Sequence, residues 1–151
     1  MPAQSRIPEP ELTVYDPNNI FARILRGELP CHKVYEDADT LAFMDIMPQS
    51  DGHVLVLPKE AAAELFDLSE AAAQAAIRTT QRIARAVRDA FGPDGLSIGQ
   101  FNGAAAGQTV PHVHFHIVPR YADRPLRGHA SEPQDPAVLQ QHAARIVAAL
   151  G

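Results

Sequence analysis

The segment "VPHVHFHIVPR" constrains this chain more than any other, because it sets His112, His114 and His116 at every second position among apolar residues. Side chains alternate between the two faces of a β-strand, so this period puts three imidazoles on one face and Val113, Phe115 and Ile117 on the other. The apolar face predicts packing against a core. A lone histidine is commonly a satisfied packing residue, whereas three in register call for chemistry. Neighbouring histidines stand roughly 6.6 Å apart along a strand and the outer pair about 13 Å. Zinc holds its ligands at about 2 Å, so two of the three could share a metal far more easily than all three. Spacing alone therefore leaves two chemical readings open. One is a metal site completed from elsewhere in the chain; the other is catalysis by imidazole, a good nucleophile toward phosphorus that exchanges protons near neutral pH. The preceding loop, "NGAAAGQT", favours catalysis at a phosphate. Its small residues let backbone N–H groups and the side chains of Asn102, Gln108 and Thr109 come close to an anion.

Composition removes several classes of function. A length of 151 residues with 46% hydrophobic content supports one compact domain. Eighteen acidic against thirteen basic residues, a formal net charge of -5, give no electrostatic footprint for nucleic acid or anionic lipid, so neither nucleic acid nor membrane is expected as a partner. A single cysteine, Cys31, cannot form an intrachain disulfide, and no segment resembles a signal peptide or a membrane span; these features predict a cytoplasmic protein.

The remaining elements follow from periodicity and punctuation. Residues 1–18 hold four prolines among polar residues and predict an extended arm, with one domain over 19–151. "NNIFARILRGELP" predicts a short amphipathic helix capped by Asn19. "HKVYED", "TLAFMDI" and "GHVLVLPK" predict three consecutive antiparallel strands. From Asp67 to Phe91 the apolar period changes to three or four residues, predicting one long helix with an Asp67/Glu70 capping box and a stop at "GPDG". A fourth strand is expected near Leu96 and a fifth at "VPHVHFHIVP". A final helix is expected with Pro136 in its first turn. Strands grouped around one long helix indicate an α+β fold with a five-stranded antiparallel sheet, one long and one short helix, and a C-terminal helix.

The HxHxH run followed by apolar residues resembles the signature of the histidine triad (HIT) proteins. "IFARILRGELPCHKVYEDADTLAFMDIMPQSDGHVLVLPK" and "NGAAAGQTVPHVHFHIVPR" are similar to the N- and C-terminal halves of the family's Hint-type branch, so the likeness spans about residues 20 to 120. It implies a homodimer that binds a purine nucleotide of the AMP or GMP type and cleaves it at the α-phosphorus. By position it implies His114 as the nucleophile that forms a nucleotidyl-histidine, with His112, His116 and His53 in supporting roles. Asp45 would hold the ribose, while Asn102, Gln108 and Thr109 would meet the phosphate and leaving group. Ile20, Phe21, Ile24, Phe43 and Ile46 would wall the base. Some family members bind a structural zinc through a CxxC pair, a histidine after the third strand and the first triad histidine. Here the CxxC positions are Asn19 and Ala22, and "PKEAAAE" lacks the third-strand histidine, so neither metal nor other cofactor is expected.

The implied reaction is hydrolysis of purine nucleoside phosphoramidates and related nucleotide conjugates. The residues also leave open a dinucleoside polyphosphate hydrolase and a nucleotide-binding regulatory protein with incidental hydrolysis. Attack requires an unprotonated nitrogen on His114, so its other ring nitrogen should donate to a fixed acceptor, most simply a backbone carbonyl. His32, His129 and His142 lie outside the motifs and read as surface or packing residues. Arg124 and Arg127, in the segment between the last strand and the last helix, read as solvated.

Overall fold

In the computed structural model of the protein, which describes residues 14–151, five strands form one antiparallel sheet in the order β1-β2-β3-β5-β4. The strands are β1 (Lys33–Glu36), β2 (Thr40–Met44), β3 (Val54–Pro58), β4 (Gly95–Gln100) and β5 (Phe115–Arg120); the helices are α1 (Ile20–Leu25), α2 (Glu70–Phe91) and α3 (Pro136–Leu150). The expected architecture is present. Residues 1–13 of the expected arm fall outside the described residues. Among the described residues no helix is long and apolar enough to cross a membrane.

Alternation along the strands divides the molecule into layers. Ala42, Met44, Val54, Val56, Phe115 and Ile117 point to one face, where they bury against Ala76, Ile83 and Val87 of α2 and Leu139, Ala143 and Ile146 of α3. Leu41, Phe43, Leu55 and Leu57 point to the opposite face and pack with Phe21 of α1. His116 faces Leu55 across the β3–β5 pairing, so it shares that second face. The strands β2 and β3 are buried on both sides, which explains why they read as continuous apolar runs.

Local signals place most helix ends. The Asn19 side chain accepts a hydrogen bond from the Ala22 N–H at 2.9 Å and so caps α1. Gly92 ends α2 at φ 56, the left-handed conformation glycine adopts most readily, and Pro136 opens α3 in its first turn. Two boundaries differ from the sequence expectation. The cap of α2 is Ser69, whose hydroxyl accepts from the Ala72 N–H at 3.1 Å; Asp67 instead pairs with Glu64 across a single 3₁₀ turn, Leu65–Asp67. The last strand joins the ladder only at Phe115, so His112 and His114 sit in an irregular lead-in rather than in the sheet itself. Pro111, which has no N–H to offer a neighbour, marks the start of that lead-in.

Candidate active site

Three elements bring the histidines together on the face opposite the long helix. His112 and His114 come from the lead-in, His116 from β5, and His53 from the turn that enters β3. All four are buried. Burying an imidazole without partners costs on the order of 1–3 kcal/mol, so the bonds around each ring define the site. Among the described residues every side-chain nitrogen and oxygen fully shielded from solvent has a hydrogen-bond partner.

These bonds assign a tautomer to each ring. His114 Nδ1–H donates to its own neighbour's backbone, the His112 carbonyl, at 2.6 Å, which leaves Nε2 with a free lone pair. The acceptor required for an unprotonated nitrogen is therefore present. The Tyr15 hydroxyl donates to His112 Nδ1 at 2.7 Å, and His112 Nε2–H donates to the Pro58 carbonyl at 2.8 Å. The Gln49 backbone N–H donates to His53 Nδ1 at 3.0 Å, so the proton of His53 lies on Nε2. That proton points at His116 Nδ1, 3.0 Å away, and the remaining proton of His116 lies on Nε2.

Electrostatics keeps the cluster neutral. Burial, opposed by the bond to the His112 carbonyl, brings His114 down to about 4. Burial, followed by repulsion from neighbouring imidazoles, brings His53 and His116 to about 3. Burial also lowers His112, against the bond to Pro58. Asp45 Oδ2 lies 3.4 Å from His53 Nε2, but with His53 neutral and its Nε2–H directed at His116 this is a long contact and not an ion pair. Burial raises the Asp45 carboxyl, and the Met47 N–H, donating at 2.9 Å, partly offsets the rise.

Asp45, His53 and His116 bring ligand atoms within 4.8 Å of one another, a spacing that a metal could use. The donor set does not fit one. A metal on His53 Nε2 would displace the only ring proton while Nδ1 still accepts from Gln49, which demands an imidazolate. The zinc set implied by the family fits no better. Asn19 is occupied as a helix cap, Ala22 has no donor, and both ring nitrogens of His112 are engaged, with the Tyr15 hydroxyl and the Pro58 carbonyl.

The expected nucleotide contacts divide into groups. Phe21 meets His114 edge-on at 4.9 Å between ring centroids and Phe43 at 5.5 Å, so Phe21 stands beside the expected nucleophile with Phe43 packed behind it. Ile20 and Ile46 are more than half exposed and Ile24 partly buried. Asn102 Oδ1 accepts from the Leu65 N–H at 2.8 Å, which anchors the small-residue loop. The Gln108 amide braces the loop: Oε1 accepts from the Gly103 N–H, and Nε2 donates to the Ala63 and Val110 carbonyls. Thr109 is exposed beside it. Gly103 and Gly107 have φ of 87 and 98, conformations strained for any residue with a Cβ.

Three residues that the sequence did not mark also reach the site. Tyr15 does so across 97 positions of sequence. Phe101 lies 5.3 Å from the His116 ring, and His129 lies 5.6 Å from His116 and 6.4 Å from Phe101. His129 was read as a surface or packing residue; it is exposed, and it stands at the edge of the histidine cluster. No periodic signal marks it, because it lies on an irregular strap. By contrast, His142 packs edge-on to Phe91 at 5.1 Å and the partly buried His32 pairs with Gln140, as their place outside the motifs suggested. A cavity of about 560 Å³ between Asp94, Arg120 and Arg124 touches no histidine, so volume does not locate the site.

An antiparallel α+β fold that buries a tautomer-locked histidine cluster beside a glycine-bearing loop defines a class of site suited to chemistry at a phosphate. Residues 26–123 match the HIT domain family, and the chain belongs to that family. It is 43% identical to adenosine 5'-monophosphoramidase hnt1 of Schizosaccharomyces pombe over 67% of this chain and 73% of that protein. Among solved structures, a Hit-like protein involved in cell-cycle regulation from Bartonella henselae aligns with a TM-score of 0.84 and 46% identity, covering 90% of this chain and 99% of that one. A zinc-bound histidine triad family protein from Mycobacterium smegmatis aligns with a TM-score of 0.77 and 36% identity, covering 88% and 93%.

Proposed function

We propose that this protein hydrolyses purine nucleoside 5'-phosphoramidates and related nucleotide conjugates at the α-phosphorus, with His114 Nε2 as nucleophile and a nucleotidyl-histidine as intermediate. The observation that carries this reading is the 2.6 Å bond from His114 Nδ1–H to the His112 carbonyl, which leaves a lone pair on Nε2. A ring kept neutral by burial is available to attack at neutral pH. The named activity of the fission-yeast relative supports the choice of a phosphoramidate.

In this mechanism the base lies against Phe21, Phe43 and Ile24, with Ile20 and Ile46 closing over it, and Asp45 accepts from the ribose hydroxyls. Amides of the glycine-bearing loop, Asn102 and Thr109 meet the phosphoryl oxygens, and Gln108 acts by holding that loop in shape. His112 fixes His114 through its carbonyl. His53 and His116 form a proton-ordered pair behind it.

One domain over 19–151, preceded by an arm over 1–18, is the organisation that goes with this reading, and the cytoplasm is the compartment. A homodimer is supported by β4, an edge strand, and by Ile77 and Ile98, which are 53% and 47% exposed beside a shared groove. Purified protein offered an adenosine phosphoramidate and a dinucleoside polyphosphate side by side should release nucleoside monophosphate faster from the first; preference for the second would overturn the substrate assignment.

A further inference from the structure

The segment between β5 and α3 is a strap tied down over the site. Its ties come from separate points: the Tyr121 hydroxyl donates to the Asp51 carbonyl at 2.9 Å, and the Arg127 N–H donates to the Gln49 carbonyl at 2.8 Å. The Arg127 guanidinium meets the Asp51 carboxylate at 3.1 Å, and the Gln134 N–H donates to the Ile46 carbonyl at 2.9 Å. Between the last two lies His129, held against His116 and Phe101. Below the strap, Phe101, His116, Val118, Arg120 and Leu126 line a groove of about 260 Å³. Neither His114 nor Phe21 lines it.

The buried histidines are poorly placed to release a proton. His53 and His116 share one proton-ordered chain and stay neutral, and His114 must be neutral to attack. His129 differs from them in being exposed, with its ring 5.6 Å from that of His116.

We propose that His129, carried on this strap, is the acid that delivers a proton to the leaving group, which occupies the groove beside His116. The proposal rests on the phosphoramidase reading above. As His114 Nε2 bonds to the α-phosphorus, the bond from phosphorus to the leaving nitrogen breaks. Its electron pair passes to that nitrogen, which takes the proton from the His129 imidazolium and departs as the amine. In the second half, water attacks the phosphorus, the bond to His114 Nε2 breaks, and the neutral His129 takes up the proton that the water loses.

The test compares two substrates in wild-type protein and in His129→Gln: an adenosine 5'-phosphoramidate of a simple alkylamine, and the 4-nitrophenyl ester of AMP, whose phenolate leaves without a proton. Wild-type turnover of the amidate reports on the phosphoramidase reading by itself. With His129→Gln, kcat/KM for the amidate should fall about 100-fold while that for the ester stays within about threefold. Equal losses on both substrates, or no loss on the amidate, would overturn the proposal and leave the reading intact; wild-type inactivity on the amidate would remove both.

Discussion

The Tyr15 hydroxyl lies 2.7 Å from His112 Nδ1, and the two rings meet edge-on at 5.6 Å between centroids. A residue ahead of the first helix thus completes the hydrogen bonding of a buried triad histidine, whose other ring nitrogen donates to the Pro58 carbonyl. Replacing Tyr15 by Phe keeps the ring contact and removes only the donor. The buried nitrogen then has no partner, and the urea midpoint should correspond to a loss of about 1–3 kcal/mol. An unchanged midpoint would show that this contact does not hold in solution.

Replacing His114 by Asn should lower turnover of a phosphoramidate by at least about 1000-fold, since the attacking nitrogen is gone. Circular dichroism should stay close to that of the wild type. A denaturing quench of wild-type protein turning over labelled nucleotide should trap an acid-labile adduct on His114, and an adduct on another residue would displace it as nucleophile.

Asp45 offers a test of ribose recognition. Its Oδ1 is engaged with the Met47 N–H, while Oδ2 has only a long contact with His53. Asp45→Ala should raise KM for a ribonucleotide substrate about tenfold, the scale of one lost hydrogen bond to a charged group. With a 2',3'-dideoxy substrate, wild type and variant should converge. A tenfold difference that persists on the dideoxy substrate would mean that Asp45 acts through the fold.

The buried histidines also make stability depend on pH. In the folded protein His114 titrates near 4 and His53 and His116 near 3, whereas in the unfolded chain each takes up a proton near 6.5. Between those limits the unfolded state binds more protons, so acidification favours unfolding. Stability is full above pH 6.5 and declines as pH falls toward 4, by on the order of 1 kcal/mol per pH unit for each histidine. Urea midpoints at pH 7.5 and pH 5 measure this directly; equal midpoints would mean that these rings are not buried in neutral form.

Where the chemistry is local, the sequence was a good guide. Asn19, Gly92 and Pro136 mark helix ends through their own side chains or backbone, and the apolar runs of β2 and β3 follow from burial on two faces. The α2 cap was harder to read, because Glu64, Asp67 and Ser69 all offer capping oxygens within six positions and only the 3₁₀ turn decides among them. Tyr15 and His129 lay beyond local reading altogether. Their partners are distant in sequence, and neither belongs to a periodic element that would have announced its direction. Gln108 shows a further limit, since residue type gives no sign that its amide also braces the loop.

The late start of β5 has a consequence for what this sequence can tolerate. A carbonyl already accepting from a neighbouring strand would be a poorer partner for a ring two residues along its own chain. Because pairing begins at Phe115, the His112 carbonyl stays outside the ladder and accepts from His114. The proton on the expected nucleophile is therefore positioned by a strand that stops short. Substitutions near Pro111 that extend the pairing toward the N-terminus would compete for that carbonyl, and they would do so without changing any histidine.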